Sequence, residues 1–142
     1  MKHARLADTR ISEIRDSFGA QTLMQTFGAE LREVTPGQVE ITAPILPGFL
    51  QQHGFAHAGL TFSVGDSAAG YAALTLMPEG ADVLTAEMKI NLLAPASGER
   101  LIATGKVIKP GRRLFVVGAE VAVEKEGTLT PVALLQGTMV PT

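Results

Sequence analysis

The stretch from Phe55 to Pro78, FAHAGLTFSVGDSAAGYAALTLMP, holds one formal charge, Asp66, and it constrains the fold more than any other part of the chain. It opens with a turn at His57, Ala58 and Gly59 and continues with small and apolar residues over a helical length. A helix apolar on nearly every side must be covered by protein or by lipid. Lipid is the poorer cover, because Asp66 near a bilayer centre costs several kcal/mol. Ser63, Ser67 and the glycines also dilute the hydropathy, and no Lys or Arg closely flanks either end. The segment therefore reads as a core helix, with no membrane partner. A carboxylate within it costs free energy unless it is paired, neutralised or in use.

The flanking sequence supplies the cover. Residues 9–26 bring Ile11, Ile14, Phe18 and Leu23 near helical spacing, with Thr9 or Ser12 as N-cap, which predicts an N-terminal helix. Alternation over 27–34 and 38–45, about the Thr35-Pro36-Gly37 turn, predicts a hairpin. After Pro78 the text is β-rich. In 83–93, strict alternation sets Leu84, Ala86, Met88, Ile90 and Leu92 on one face and Thr85, Glu87, Lys89 and Asn91 on the other. Strands follow at 100–109, 112–124 and 128–140. The expected fold is α+β: an antiparallel six-stranded sheet wrapped around the long central helix, with a helix before it. Residues 1–142 fit a single domain, with 1–8 flexible. Strand 112–124 is apolar on both faces, so its outer face should also meet protein, which predicts a homo-oligomer.

Composition removes several classes of function. A formal net charge of −2 leaves no basic stripe for nucleic acid. Zero cysteines excludes a disulfide framework, a zinc-finger site and a thiolate nucleophile. Together with the absence of a signal peptide at MKHARLADTR, this fits a cytoplasmic protein. No Rossmann or P-loop phosphate motif occurs, and Gly65-Asp66-Ser67-Ala68-Ala69-Gly70 is not a serine-hydrolase elbow. His53 and His57 have the i,i+4 spacing of metal ligands, but Gly54 disfavours a helix there and no further ligand completes a set, so no metal is expected.

His57 and Asp66 stand nine residues apart, so helical geometry turns them about 180° from each other and separates them by roughly 13 Å. One chain does not readily bring them to one site. Two chains about a two-fold axis can set Asp66 of one beside the helix start of the other, whose free N–H groups suit an oxygen that becomes negative. A desolvated carboxylate facing such donors is equipped to hydrolyse an activated carbonyl. The alternative is a buried structural carboxylate, with His57 as a cap. Gln51 and Gln52 offer amides in the preceding loop, and Arg112 and Arg113 follow the Pro110-Gly111 turn, where they are either solvated or grip a phosphate.

Gln51, His57, Gly59 and Asp66 resemble the signature of the PaaI-like (phenylacetic-acid-degradation) hotdog-fold thioesterases: an amide, His-Gly-Gly, and a carboxylate nine residues after the His. MKINLLAPASGE (88–99) and KPGRRLFVVGAEV (109–121) resemble later blocks of that family, and the similarity covers residues 20–140. The chain departs at Ala58, where the family has Gly. Alanine keeps the N–H but adds a Cβ, which is tolerated where φ is not strongly positive. The resemblance implies a hotdog acyl-CoA thioesterase acting as a homodimer or dimer of dimers, with coenzyme A entering as part of the substrate and no separate cofactor. It implies Asp66 as general base or nucleophile, and Ala58 N–H of the partner chain as the oxyanion site. His57 would shape the turn, Gln51 would position carbonyl or water, and Thr85 would hold the water. Gly59, Phe62, Ser63, Arg112 and Arg113 fall on the substrate-binding side. A hydroxyacyl-thioester dehydratase and a non-catalytic acyl- or CoA-binding protein are the competing readings.

Overall fold

The computed structural model describes residues 5–142. The flexibility expected for 1–8 therefore falls partly outside the described residues, as does His3. Within them Asp8 already opens a helix.

The helix expected over 9–26 is two helices, α1 (Asp8–Gly19) and α2 (Thr22–Phe27), with the chain extended at Gln21 between them. The break moves Met24 into the core and leaves Leu23 half exposed, so the expected apolar face holds only through Ile14 and Phe18. Neither Thr9 nor Ser12 caps α1; the cap position is Ala7 and makes no side-chain bond. Gly28 ends α2 in the left-handed conformation, so the strand begins at Glu30 and not at residue 27.

Strands β1 (Glu30–Thr35) and β2 (Gln38–Pro44) form the expected hairpin about Pro36 and Gly37. A short 3₁₀ turn at Pro47–Phe49 leads to the central helix, α3 (Ala58–Leu74). Then come β3 (Val83–Leu92), β4 (Arg100–Lys109), β5 (Phe115–Lys125) and β6 (Thr128–Pro141). The strand expected from residue 112 starts at Phe115, because Arg112 and Arg113 occupy the bend after β4. All neighbours pair antiparallel in the order β1-β2-β4-β5-β6-β3. The six-stranded sheet curls on α3, which meets β2, β3, β4, β5 and β6.

Small residues make this wrapping close. A Cβ on Gly105 of β4 would lie 2.2 Å from the carbonyl carbon and oxygen of Ala68 in α3. One on Gly65 would lie 2.9 Å from Leu135 of β6. The helix backbone thus rests almost directly on the sheet, which fixes where Asp66 emerges.

Strict alternation fails in β3. Thr85 pairs with Met139 but Glu87 pairs with Thr138, so Ala86 is the extra residue of a β-bulge. The bulge reverses facing on its N-terminal side. Thr85 turns toward α3 and bonds Asp66, while Leu84 is exposed; beyond the bulge Met88 and Ile90 pack on the core. On β5 one face is buried and the other half covered, apart from exposed Glu120 and Lys125.

Candidate active site

A helix start leaves four backbone N–H groups without intrahelical partners. At α3, His57 N–H donates to the Phe49 carbonyl (2.9 Å) and Leu60 N–H to the His57 carbonyl (3.0 Å). Gly59 N–H donates to His57 Nδ1 (2.8 Å), so the imidazole itself is the N-cap. A Cβ at Gly59 would approach that Nδ1 to 3.0 Å, which accounts for glycine there. Among the described residues only the Ala58 N–H of the four has no partner. Among the described residues, positive φ at a non-glycine position occurs only at Glu126, so the Cβ of Ala58 is borne without strain.

This helix start opens on a cavity of about 520 Å³, lined by Gln51, His57, Ala58, Thr61, Leu92 and Val132 among others. Gln51 Oε1 is turned back into its own loop, where it accepts from the N–H groups of His53 and Phe55. His53 lies in an exposed turn before α3, not on a helix with His57.

Asp66 sits two and a half turns further along α3. Its Oδ1 accepts from the Thr85 hydroxyl at 2.7 Å, and its other oxygen has no protein partner among the described residues. Burial pushes the carboxyl above its ordinary value of 3.8, and the Thr85 bond pulls in the opposite direction. A cavity of about 250 Å³ lies over this pair. Its wall carries further polar groups, of which the sequence pattern marks only Tyr71, and that as an apolar lining of the acyl pocket. Ser67 donates to Gln21 Oε1 (3.1 Å), Gln21 Nε2 donates to the Tyr71 hydroxyl (3.0 Å), and Ser17 shares a bond with that hydroxyl (3.0 Å). Burial pushes Tyr71 up, keeping it a neutral phenol. The available signal was Ser67 and Tyr71 at i,i+4 on an otherwise apolar helix.

Within one chain, then, Asp66 and Thr85 meet, while His57, Ala58 and Gln51 line a different cavity. Ser63 donates to the Gly59 carbonyl at 2.7 Å, and Phe62 packs half-buried on the core. Arg112 and Arg113 are exposed in the bend between β4 and β5, outside both cavities.

A sheet wrapped on a buried helix, with a capped helix start and a mid-helix carboxylate, is the architecture of hotdog thioester hydrolases. Residues 53–130 match the model of the thioesterase superfamily, and the chain belongs to that family. It is similar to a thioesterase family protein from Silicibacter pomeroyi, at 43% identity and TM-score 0.91, covering 93% of this chain and 97% of that one. It is also similar to the phenylacetic acid degradation protein PaaI from Thermus thermophilus, at 26% identity and TM-score 0.72, covering 84% and 98% of the two chains. A Bacillus halodurans protein solved with CoA shares the fold at 23% identity and TM-score 0.74, covering 94% and 89%. The chain is a PaaI-like hotdog thioester hydrolase, which favours hydrolysis over the dehydratase and binding-only readings.

Proposed function

We propose that the protein hydrolyses acyl-CoA thioesters at a site shared between two copies of the chain. The observation that carries this reading is the separation of its two halves: a desolvated carboxylate in one cavity and one free N–H in another. Strand β3 is an edge of the sheet and exposes Leu84 and Leu92. Antiparallel pairing of two β3 edges about a two-fold near Met88 sets Thr85 of one copy opposite Asn91 of the other. Thr85 lies over Asp66, and Leu92 lies over the start of α3. Such a dimer therefore brings the Asp66 cavity of each copy against the Ala58 cavity of its twin, and covers two apolar side chains of an otherwise unpaired edge.

In that arrangement Asp66 takes a proton from water as the water oxygen bonds the thioester carbon. Desolvation serves this step, because a base with raised affinity for a proton is more effective. Thr85 holds Oδ1 and leaves the other carboxylate oxygen for the water. The carbonyl oxygen gains charge and receives the Ala58 N–H at the positive end of α3. Collapse of the tetrahedral species breaks the C–S bond, and the proton on Asp66 passes to the departing thiolate. Gln51 lies beside the thioester entry, and Arg112 and Arg113, exposed in the bend after β4, are assigned to the CoA phosphates as outlying cations. A relative solved with CoA supports the choice of thiol. The test is release of free CoA from a panel of acyl-CoA esters by wild type and by Asp66→Asn. Turnover lost in a folded Asn variant is the expected result, and equal turnover overturns the role of Asp66.

A further inference from the structure

The cavity over Asp66 is walled by an amide and three hydroxyls, of Ser17, Ser67 and Tyr71, that hydrolysis does not use. Ser17 and Tyr71 hold two hydroxyl hydrogens but share one bond, so whichever donates, one hydrogen is left without a partner among the described residues. Gln21 spends one of its two amide hydrogens on Tyr71 and one acceptor site of Oε1 on Ser67. The cluster thus keeps two unspent donors and at least one unspent acceptor at the wall of a cavity that also holds the reacting carboxylate. Asp66 and Asp82 line the same space, which makes it hostile to a further negative charge.

We propose that Gln21, Tyr71 and Ser17 form a recognition site for a neutral oxygen carried on the acyl group, so that the preferred substrate is a compact acyl-CoA ester with a hydroxyl or carbonyl several bonds beyond the thioester. The inference rests on Asp66 being the hydrolytic centre. Tyr71 lies five residues beyond Asp66, about 7.5 Å along the helix axis, a distance that a six-carbon acyl chain spans. Gln21 reaches the cavity because the chain breaks between α1 and α2, so that break has a use in recognition as well as in packing. A hydroxyl on the substrate can accept from the Gln21 amide and donate to its Oε1 or to Asp82. A carboxylate cannot donate and meets two anions.

The experiment compares hexanoyl-CoA, 6-hydroxyhexanoyl-CoA and adipoyl-CoA. In wild type, kcat/KM for the hydroxy ester should exceed that for hexanoyl-CoA by roughly tenfold, with adipoyl-CoA lowest. Gln21→Leu and Tyr71→Phe should bring the hydroxy-to-plain ratio near one, with Ser17→Ala as a further variant should either fail to fold. A merely structural role would lower all three substrates together and leave the ratio intact, which overturns the proposal. So does equal use of the first two esters by wild type, or a preference for adipoyl-CoA. The same order is read as Kd of wild type for non-hydrolysable thioether analogues of the three esters, so recognition is scored even if the hydrolytic role of Asp66 fails.

Discussion

Replacing Ala58 by proline removes the one N–H at the start of α3 without a partner among the described residues, and little else. Proline is well tolerated at the first position of a helix, where its missing N–H has no intrahelical use. It also requires an extended residue before it, and His57 already stands at φ −60° and ψ 141°. The other groups at the helix start are bonded through His57 and Gly59, which the substitution leaves in place. Stability to urea should therefore stay within about 0.5 kcal/mol of wild type or rise slightly. Turnover is another matter. Loss of one oxyanion donor in a preorganised site costs roughly 10²–10³ in kcat, or about 3–4 kcal/mol. Thiol release from acyl-CoA esters, followed beside a urea melt, reads both quantities. A folded Ala58→Pro protein with wild-type kcat refutes the assignment of that N–H.

Other expectations follow from the same geometry. Asp66→Asn keeps an acceptor for Thr85 but no base, so kcat should fall roughly 10²–10⁴-fold. The folded-state pKa of Asp66 lies above 3.8, so its contribution to stability is full below that pH and is lost as pH rises through the raised value; melts at neutral pH should show the Asn variant more stable than wild type, with the gap closing in acid. Thr85→Val removes the bond that lowers the Asp66 pKa, so the acidic limb of the kcat/KM profile should move to higher pH, whereas Thr85→Ser should leave it near wild type. Gly105→Ala drives a methyl into the α3 backbone at Ala68 and should cost about 3 kcal/mol or more, measured by urea unfolding.

The architecture was legible where local chemistry and tertiary demand agree. The single-charge segment specified a core helix, and α3 runs from Ala58 as its His-Ala-Gly turn predicts. The Pro36-Gly37 turn and the gap left between residues 124 and 128 delimited strands, and Gly37, Glu126 and Gly127 adopt positive φ there. Two features were not legible because long-range contacts set them. Helical spacing runs through Ala20 and Gln21, yet the chain breaks there as Gln21 turns to bond Ser67 and Tyr71 of α3. Alternation runs through Ala86 as well, yet the pairing with β6 makes it a bulge, and only that bulge turns Thr85 toward Asp66. The candidate site residues Asp66, His57 and Ala58 were singled out by the helix they share. The polar wall beside Asp66 was hidden because Gln21, which links its other members, sits at a helix break that no periodicity announces.

Subunit mixing addresses the shared site most directly. Asp66→Asn and Ala58→Pro proteins, each nearly inactive alone, are unfolded together in equal amounts and refolded. Random pairing makes half of the dimers mixed, and each mixed dimer holds one site with both native groups, so about a quarter of wild-type turnover should return. Turnover that stays at the sum of the two separate variants would mean that base and donor act within one chain, and the shared site would be wrong.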